Sequence, residues 1–300
     1  MSLDKEKYGS YELYNGITVH QMQNKMIDIL KYFIKVCEEN NLRYWCGGGS
    51  MLGAIRHQGF IPWDDDIDVF MPRPDYEKLY TVWNQIGDRR NYSLFRTNRN
   101  KNMHTANMHL VDIHTTFINR HNSEEDIPHG VYIDIAPFDG CPDNIILRGV
   151  QIYHAILFSI FNVQRLPDNQ GDLLKIPVKI LLSLVKDPEK RYRIWKKHEK
   201  EMAKYNYDEC RYVKEIMTSF KGLFRLYPKK YFRRRDVAFE DITIRIPYNA
   251  ETYLRRIYGD YMKLPSEEKR MLRFDDILFI DLAHSYQKYK GIYYLTGKEK

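Results

Sequence analysis

Cysteine is scarce in this 300-residue chain: Cys37, Cys46, Cys141 and Cys210 are far apart and form no CxxC pair. That spacing argues against a structural zinc site or a disulfide framework, and for a reducing compartment. No apolar signal segment opens the sequence. The longest apolar run, Ile152 to Val163, is short for a bilayer crossing and contains His154, so no transmembrane helix is expected. Internal repeats, low-complexity segments and long flexible linkers are missing too. What remains, 43% hydrophobic and 29% charged, is the composition of an ordinary globular protein long enough to bury a sizeable core.

Acidic residues are in deficit. The net charge of +7 suits an anionic partner such as a nucleotide, a phosphorylated polymer or an anionic membrane. Basic residues gather late, in Lys190–Arg193 and Lys229–Arg235, where a solvated helix face is the plain alternative. They match no nucleic-acid recognition motif, so nucleic acid is not expected as a partner. The 24 tyrosines fit either a surface that meets rings, sugars or lipid headgroups, or a tyrosine-rich core.

Apolar residues at Met22, Met26, Ile29, Leu30, Phe33, Ile34 and Cys37 have helical spacing, and Asn40-Asn41 is a natural stop. A short strand, Leu42–Cys46, enters a glycine run. Ser50 is expected to cap a helix through Arg56, and Asp66–Met71 to form the next strand. A helix through Tyr76, Leu79, Tyr80 and Trp83 follows, then strands over His109–Asn119 and Gly130–Ala136, the last ended by Pro137. Beyond residue 150 helices are predicted at Ile152–Val163, Leu173–Val185 and Glu189–Asn206, with Asp168–Gly171 and Lys186–Pro188 as connections. The fold class is therefore α+β: a small mixed sheet flanked by helices, then a mainly helical C-terminal half. Two subdomains sharing an interface, 1–145 and 146–300, are expected.

The chemistry gathers at Gly47-Gly48-Gly49-Ser50 and Asp64-Asp65-Asp66-Ile67-Asp68. Glycines remove Cβ atoms where backbone must approach a ligand closely, and the following helix start offers N–H groups to an anion. No Gly-Lys-Ser/Thr follows, so this is not a P-loop. Along a strand Asp66 and Asp68 would share a face, with Asp65 turned away and Asp64 joining only if the strand begins early. Two carboxylates so close repel unless a cation lies between them, and hard oxygen ligands favour Mg²⁺ or Mn²⁺. The plain alternatives are an acidic turn and a tight strand-to-helix turn; together the two features point to phosphoryl or nucleotidyl transfer. Asp134, polar within the apolar run Val131–Ala136, is the candidate third carboxylate, since burial there is costly for an unpaired charge. Asp139 is expected in a turn or cap. His104, His109 and His114 are five apart, which suits neither one helix face nor one strand face, and are expected at the surface.

The unbroken stretch from Gly47 to Asp68, GGGSMLGAIRHQGFIPWDDDID, resembles the hallmark of the LicD family. Tyr132–Gly140 (YIDIAPFDG) and Tyr253–Met262 (YLRRIYGDYM) are similar to later family segments, so the resemblance covers most of the chain. It implies a nucleotidyltransferase-like fold and transfer of phosphocholine from CDP-choline to a glycan hydroxyl. The glycan would be a teichoic acid or lipopolysaccharide-type precursor, expected to be lipid-linked. Carried onto this chain, the resemblance implies Asp66, Asp68 and Asp134 as catalytic Mg²⁺ (or Mn²⁺) ligands and Gly48, Gly49 and Ser50 at the donor diphosphate. Arg56 is a candidate for phosphate charge or an ordinary structural arginine. The chain departs from the family pattern at Asn107, Met108 and His109, where many relatives are basic, and at Ser266, where a proline is usual; a histidine often found near Arg270 is missing. Acceptor recognition is expected to differ accordingly. A lipid-linked acceptor would place a cytoplasmic enzyme peripherally at the inner membrane face. Alternatives are an alditol-phosphate transferase using CDP-glycerol or CDP-ribitol, a true nucleotidyltransferase using an NTP, and a non-catalytic nucleotide-binding module.

Overall fold

The computed structural model describes residues 7–165, 172–217, 222–270 and 276–297; the Asp168–Gly171 connection lies outside them. A short hairpin, β1 (Glu12–Tyr14) and β2 (Ile17–Thr18), leads into α1 (Val19–Glu39). The Thr18 hydroxyl accepts from the Gln21 N–H while the Gln21 side chain accepts from the Thr18 N–H, a reciprocal cap that fixes where α1 begins. Met22, Met26, Ile29, Leu30, Phe33 and Cys37 all turn inward, as their spacing predicts.

β3 (Trp45–Cys46) and α2 (Gly48–His57) follow, then β4 (Asp68–Pro72), which runs straight into α3 (Arg73–Ile86). α2 begins two residues before Ser50: Gly47 is its cap, and Ser50 lies inside its first turn. β4 begins two residues later than expected, because its pairing with β3 and with the long strand β8 (Tyr132–Cys141) extends no further toward the N-terminus than Asp68. The expected strand His109–Asn119 is two, β6 (Met108–Asp112) and β7 (Thr116–Asn119), preceded by β5 (Tyr92–Arg96). Asp112 and Thr115 divide it: the Asp112 carboxylate accepts from the His114 N–H (2.9 Å) and the Thr115 hydroxyl donates to the Asp112 carbonyl (2.9 Å).

β8 is the spine of the sheet. It runs parallel to β4 on one flank; on the other it pairs antiparallel with β6 through Ile135 and with β9 (Tyr212–Lys214) from Asp139. Pro137, expected to end the strand, falls in the gap where that flank changes partner, so its missing N–H costs no ladder bond. β10 (Tyr227–Pro228) extends the sheet beyond β9.

Helices α4 (Ile145–Val163), α5 (Asp172–Leu184) and α6 (Pro188–Met202) form the helical part; Asp187 caps α6 through the Glu189 and Lys190 N–H groups. α4 is longer than its apolar run, since Asn144 caps it eight residues upstream of Ile152 and Arg148 is tolerated within it. With 19 residues and a mean hydropathy of 1.4, α4 is by length and composition apolar enough to cross a membrane, because it extends beyond the shorter run read from the sequence. Past α6 the chain returns to strands instead of staying mainly helical: β9, β10, the hairpin β11 (Arg234–Phe239) and β12 (Ile242–Pro247), then α7 (Ala250–Tyr258) and β13 (Ile277–Asp281), which pairs with β7. Phe232, Phe239, Ile246 and Leu254 share one core with Phe33, Val69 and Ile133. A second core joins Phe158, Phe161, Trp195, Met202 and Met217.

Candidate active site

The glycine run and the aspartates meet at the start of α2. Gly48 has φ +46°, which an L side chain rarely adopts, and a Cβ there would overlap the Asp68 carboxylate. A Cβ at Gly49 would overlap the Asp64 carboxylate. The Gly49 N–H donates to Asp68, and the Gly47 N–H donates to the Asp68 carbonyl at 2.9 Å. Ser50, expected on the diphosphate, is buried, and its hydroxyl accepts from the Asp68 N–H at 3.0 Å. The helix start thus holds the chain's own carboxylate against the strand. In this arrangement the glycines serve the close approach of Asp64 and Asp68 to the backbone.

Asp134 faces Asp68 directly in the parallel ladder and His109 in the antiparallel one. Asn107 Nδ2 donates to Asp134 Oδ1 at 3.2 Å, and His109 Nε2 lies 3.0 Å from the same oxygen. His109 is buried and stacked on Tyr132, with ring centroids 4.0 Å apart, so the surface expectation fails for it: strand register carries it to the middle of the sheet. His114 is exposed as expected, bonded to Arg90 and Asn91, and His104 is half-buried between the Val163 carbonyl and Glu125.

Burial and neighbouring carboxylates raise the pKa of Asp64, Asp66 and Asp68. Burial, then Asp134, Asp64 and Glu215, push Asp68 up to about 7 from the usual 3.8. Asp66 keeps solvent access in its recess, yet its surroundings, and then Asp68, Asp65 and Asp134, hold it well above the ordinary range. Asp64 is raised by burial, Asp66 and Asp65, against a lowering pull from Arg56. Asp65 does not turn away: with β4 starting at Asp68, Asp65 and Asp66 line one cavity of about 200 Å³ together with Asp134, Tyr132 and Asp276. Asp68 lines a neighbouring cavity of about 200 Å³ with Gly48, Asn107, Glu215, Arg225 and Tyr258. Asp66 and Asp68 therefore do not share a strand face. Among the described residues, no three His, Cys, Asp or Glu side chains converge closely enough to grip one ion as they stand. The donor set nevertheless fits a hard divalent cation, being all carboxylate oxygen and mutually repelling.

Arg56 is buried and structural in its contacts. Nη1 donates to the Tyr261 carbonyl at 2.8 Å and Nε to His57 at 2.9 Å, tying α2 to the Gly259–Met262 loop. Asp139 is in neither a turn nor a cap. It is fully buried in β8, where Arg73 donates to both its oxygens at 2.7 Å.

Sequence reasoning missed Glu215, Arg225 and Tyr258, which come from far along the chain. Burial and then Asp68, Asp64 and Asp66 push the Tyr258 hydroxyl upward, which places it at the acidic cluster. Tyr253 donates its hydroxyl to Glu215 and shares the Asp68 cavity with Phe70. Tyr253 and Tyr258 lie in the late segment similar to the family, the one signal that could have drawn attention to them.

A mixed sheet that pairs two aspartates beside a glycine-led helix is the arrangement of a nucleotidyltransferase-like catalytic domain. The family model described as "LicD/FKTN/FKRP, nucleotidyltransferase domain" matches residues 41–159. The chain is 31% identical over 268 residues to the Haemophilus influenzae protein named lipopolysaccharide cholinephosphotransferase LicD, covering 84% of this chain and 94% of that one. Over 39 residues it is 51% identical to the human protein named ribitol 5-phosphate transferase FKRP, 13% of this chain and 8% of that one. The chain belongs to the LicD family, and is an enzyme of the phosphotransferase class.

Proposed function

We propose that this enzyme transfers phosphocholine from CDP-choline to a hydroxyl of a lipid-linked glycan at the inner face of the plasma membrane, releasing CMP. The observation that carries the choice of donor is the Asp68 cavity, where Phe70, Tyr253 and Tyr258 stand beside the carboxylates of Asp68 and Glu215. Aromatic faces with nearby negative charge are what a quaternary ammonium selects. The likeness along almost the whole length of the Haemophilus protein supports the same reading.

A Mg²⁺ or Mn²⁺ ion held by Asp66, Asp68 and Asp134 would offset the charge of the donor diphosphate and of departing CMP. Gly48 lines the cavity where the diphosphate would lie, while Gly49 and Ser50 act on it through Asp68, which they hold; Arg225 is better placed than Arg56 to meet its charge. The acceptor oxygen attacks the choline-side phosphorus, the P–O bond to CMP breaks, and the hydroxyl proton passes toward Asp134. Asn107 and His109 hold Asp134 for that role. The cavity of Asp65, Asp66 and Asp134 would admit the acceptor.

The test is CMP release from CDP-choline, CDP-glycerol and CDP-ribitol with purified lipid-linked glycans, with and without EDTA. CDP-choline is expected to be the preferred donor, with release lost on chelation. Preference for CDP-ribitol or CDP-glycerol would favour the alditol-phosphate reading, which the short likeness to the human ribitol 5-phosphate transferase supports. Pyrophosphate release from an NTP would replace both.

A further inference from the structure

The helical unit turns apolar side chains to solvent in two places. In the first turns of α4, Ile145 and Ile146 are 79% and 73% exposed. On α5, Ile176, Ile180 and Leu184 are 61%, 52% and 74% exposed, and their four-residue spacing sets them in one row. The other side of α5, through Leu181 and Leu182, packs on the second core. Scattered exposed apolar residues are ordinary, but a row of three on a helix whose other side already packs on a core is a surface awaiting a partner.

Charge indicates which partner. Residues 145–202 carry eleven Lys or Arg against six Asp or Glu, and so hold five of the chain's seven net positive charges. Lys179 and Lys186 are exposed next to the apolar row. A second copy of the chain would set this positive surface against itself, whereas an anionic bilayer complements both its charge and its apolar row. Crossing the bilayer does not fit. α4 is anchored by Ala155, Phe158 and Phe161 against Trp195 and Met202, contacts that a spanning helix would forfeit.

We propose that the unit of α4, α5 and α6 docks the enzyme on an anionic membrane. The Ile176, Ile180 and Leu184 row of α5 enters the boundary between headgroups and acyl chains, and the flanking lysines meet lipid phosphates. Ile145 and Ile146 supply a second apolar contact. The inference holds whichever CDP-activated donor the enzyme uses.

The full chain is floated with phosphatidylcholine vesicles and with vesicles also containing phosphatidylglycerol. Binding is expected to the anionic vesicles at low salt and to weaken at high salt. I176S/I180S/L184S is expected to lose binding several-fold, and I145S/I146S to lose part of it. K179E/K186E, which keeps the apolar row, is expected to lose the preference for anionic lipid. Turnover on a delipidated soluble acceptor should be unchanged in the triple variant, because these residues lie outside the acidic cluster, so loss of docking is distinguishable from failure of the activity reading. No flotation of the wild type with anionic vesicles, or undiminished flotation of the folded triple variant, would overturn the proposal. Conversion of a dimer to a monomer by the triple variant, with vesicle binding intact, would assign the row to a second copy instead.

Discussion

Around Asp68 and in the helices of residues 145–202 the chain departs from ordinary burial in opposite directions. At the sheet, burial and neighbouring carboxylates raise the pKa of Asp64, Asp66 and Asp68, and glycines at 48 and 49 make room for two of these carboxylates. In the helices, isoleucines and a leucine that could have been buried face water. Stability alone favours neither arrangement. Both become intelligible as surfaces completed by something outside the chain, one by phosphate chemistry and the other by lipid. Nearby elements show the contrast: Asp139, five residues beyond Asp134 on the same strand, is neutralised by Arg73 within the fold.

The largest effect is expected of D68N. The ionised carboxylate is disfavoured in the folded state relative to the unfolded chain, so the variant should unfold at the same or a higher temperature than wild type in EDTA at neutral pH. CMP release should nonetheless fall by about 10³-fold or more, as expected when a central electrostatic group is lost. Retained turnover would remove Asp68 from the chemistry, and a lower melting temperature would show that its charge is structural after all.

R73M probes the opposite design, a charge satisfied internally. It strands the fully buried Asp139 and should cost about 3–5 kcal/mol in denaturant unfolding. R73M/D139L should recover most of that loss. If the double variant is as unstable as the single one, the pair is not the source of the effect. A smaller effect is expected of G48A, which forces a side chain onto φ +46° and into the Asp68 carboxylate. Destabilisation of about 1–3 kcal/mol is expected, with turnover reduced more than in an alanine variant at the unstrained, exposed Gly149. Equal activity in the two alanine variants would show that the close approach at Gly48 is dispensable.

Much of the site was legible because it is local. Gly47–Ser50 and Asp64–Asp68 sit one helix apart in sequence, and Asp134 stands out as a polar residue in an apolar strand. What was not legible depends on pairing. His109 is central because β6 registers it against Asp134, and β8 continues through Pro137 because two different strands share its flank. Glu215, Arg225 and Tyr258 arrive by long-range packing that no short motif encodes. Helical spacing identified α4 and α5, yet spacing cannot say whether an apolar face meets protein, water or lipid.

The smallest expected effect lies in the helical unit itself, where α4 and α6 meet at His154 and His198 with their Nδ1 atoms 2.7 Å apart. One ring must donate and the other accept, so the contact requires at least one neutral imidazole. Burial, then Lys204 and Lys197, lower the pKa of His154 against an opposing pull from Glu201; burial, then His154 and Lys197, lower that of His198. The sign follows from linkage. The unfolded chain takes up protons near the ordinary histidine value before the folded state does, so this contact's contribution is present above that value and is lost as pH falls through it toward the folded pKa. Melting temperatures measured across that range should therefore decline less in H154Q/H198N than in wild type, while a protein titrating elsewhere would give parallel curves. Because the pair fastens α4, which carries the exposed Ile145 and Ile146, to α6, the same series read by vesicle flotation shows whether the docking face depends on that contact. Binding that survives acidification in the variant but weakens in wild type would tie the outward-facing region to its own internal pairing, and leave the acidic cluster at the sheet as the part of the molecule that stands apart.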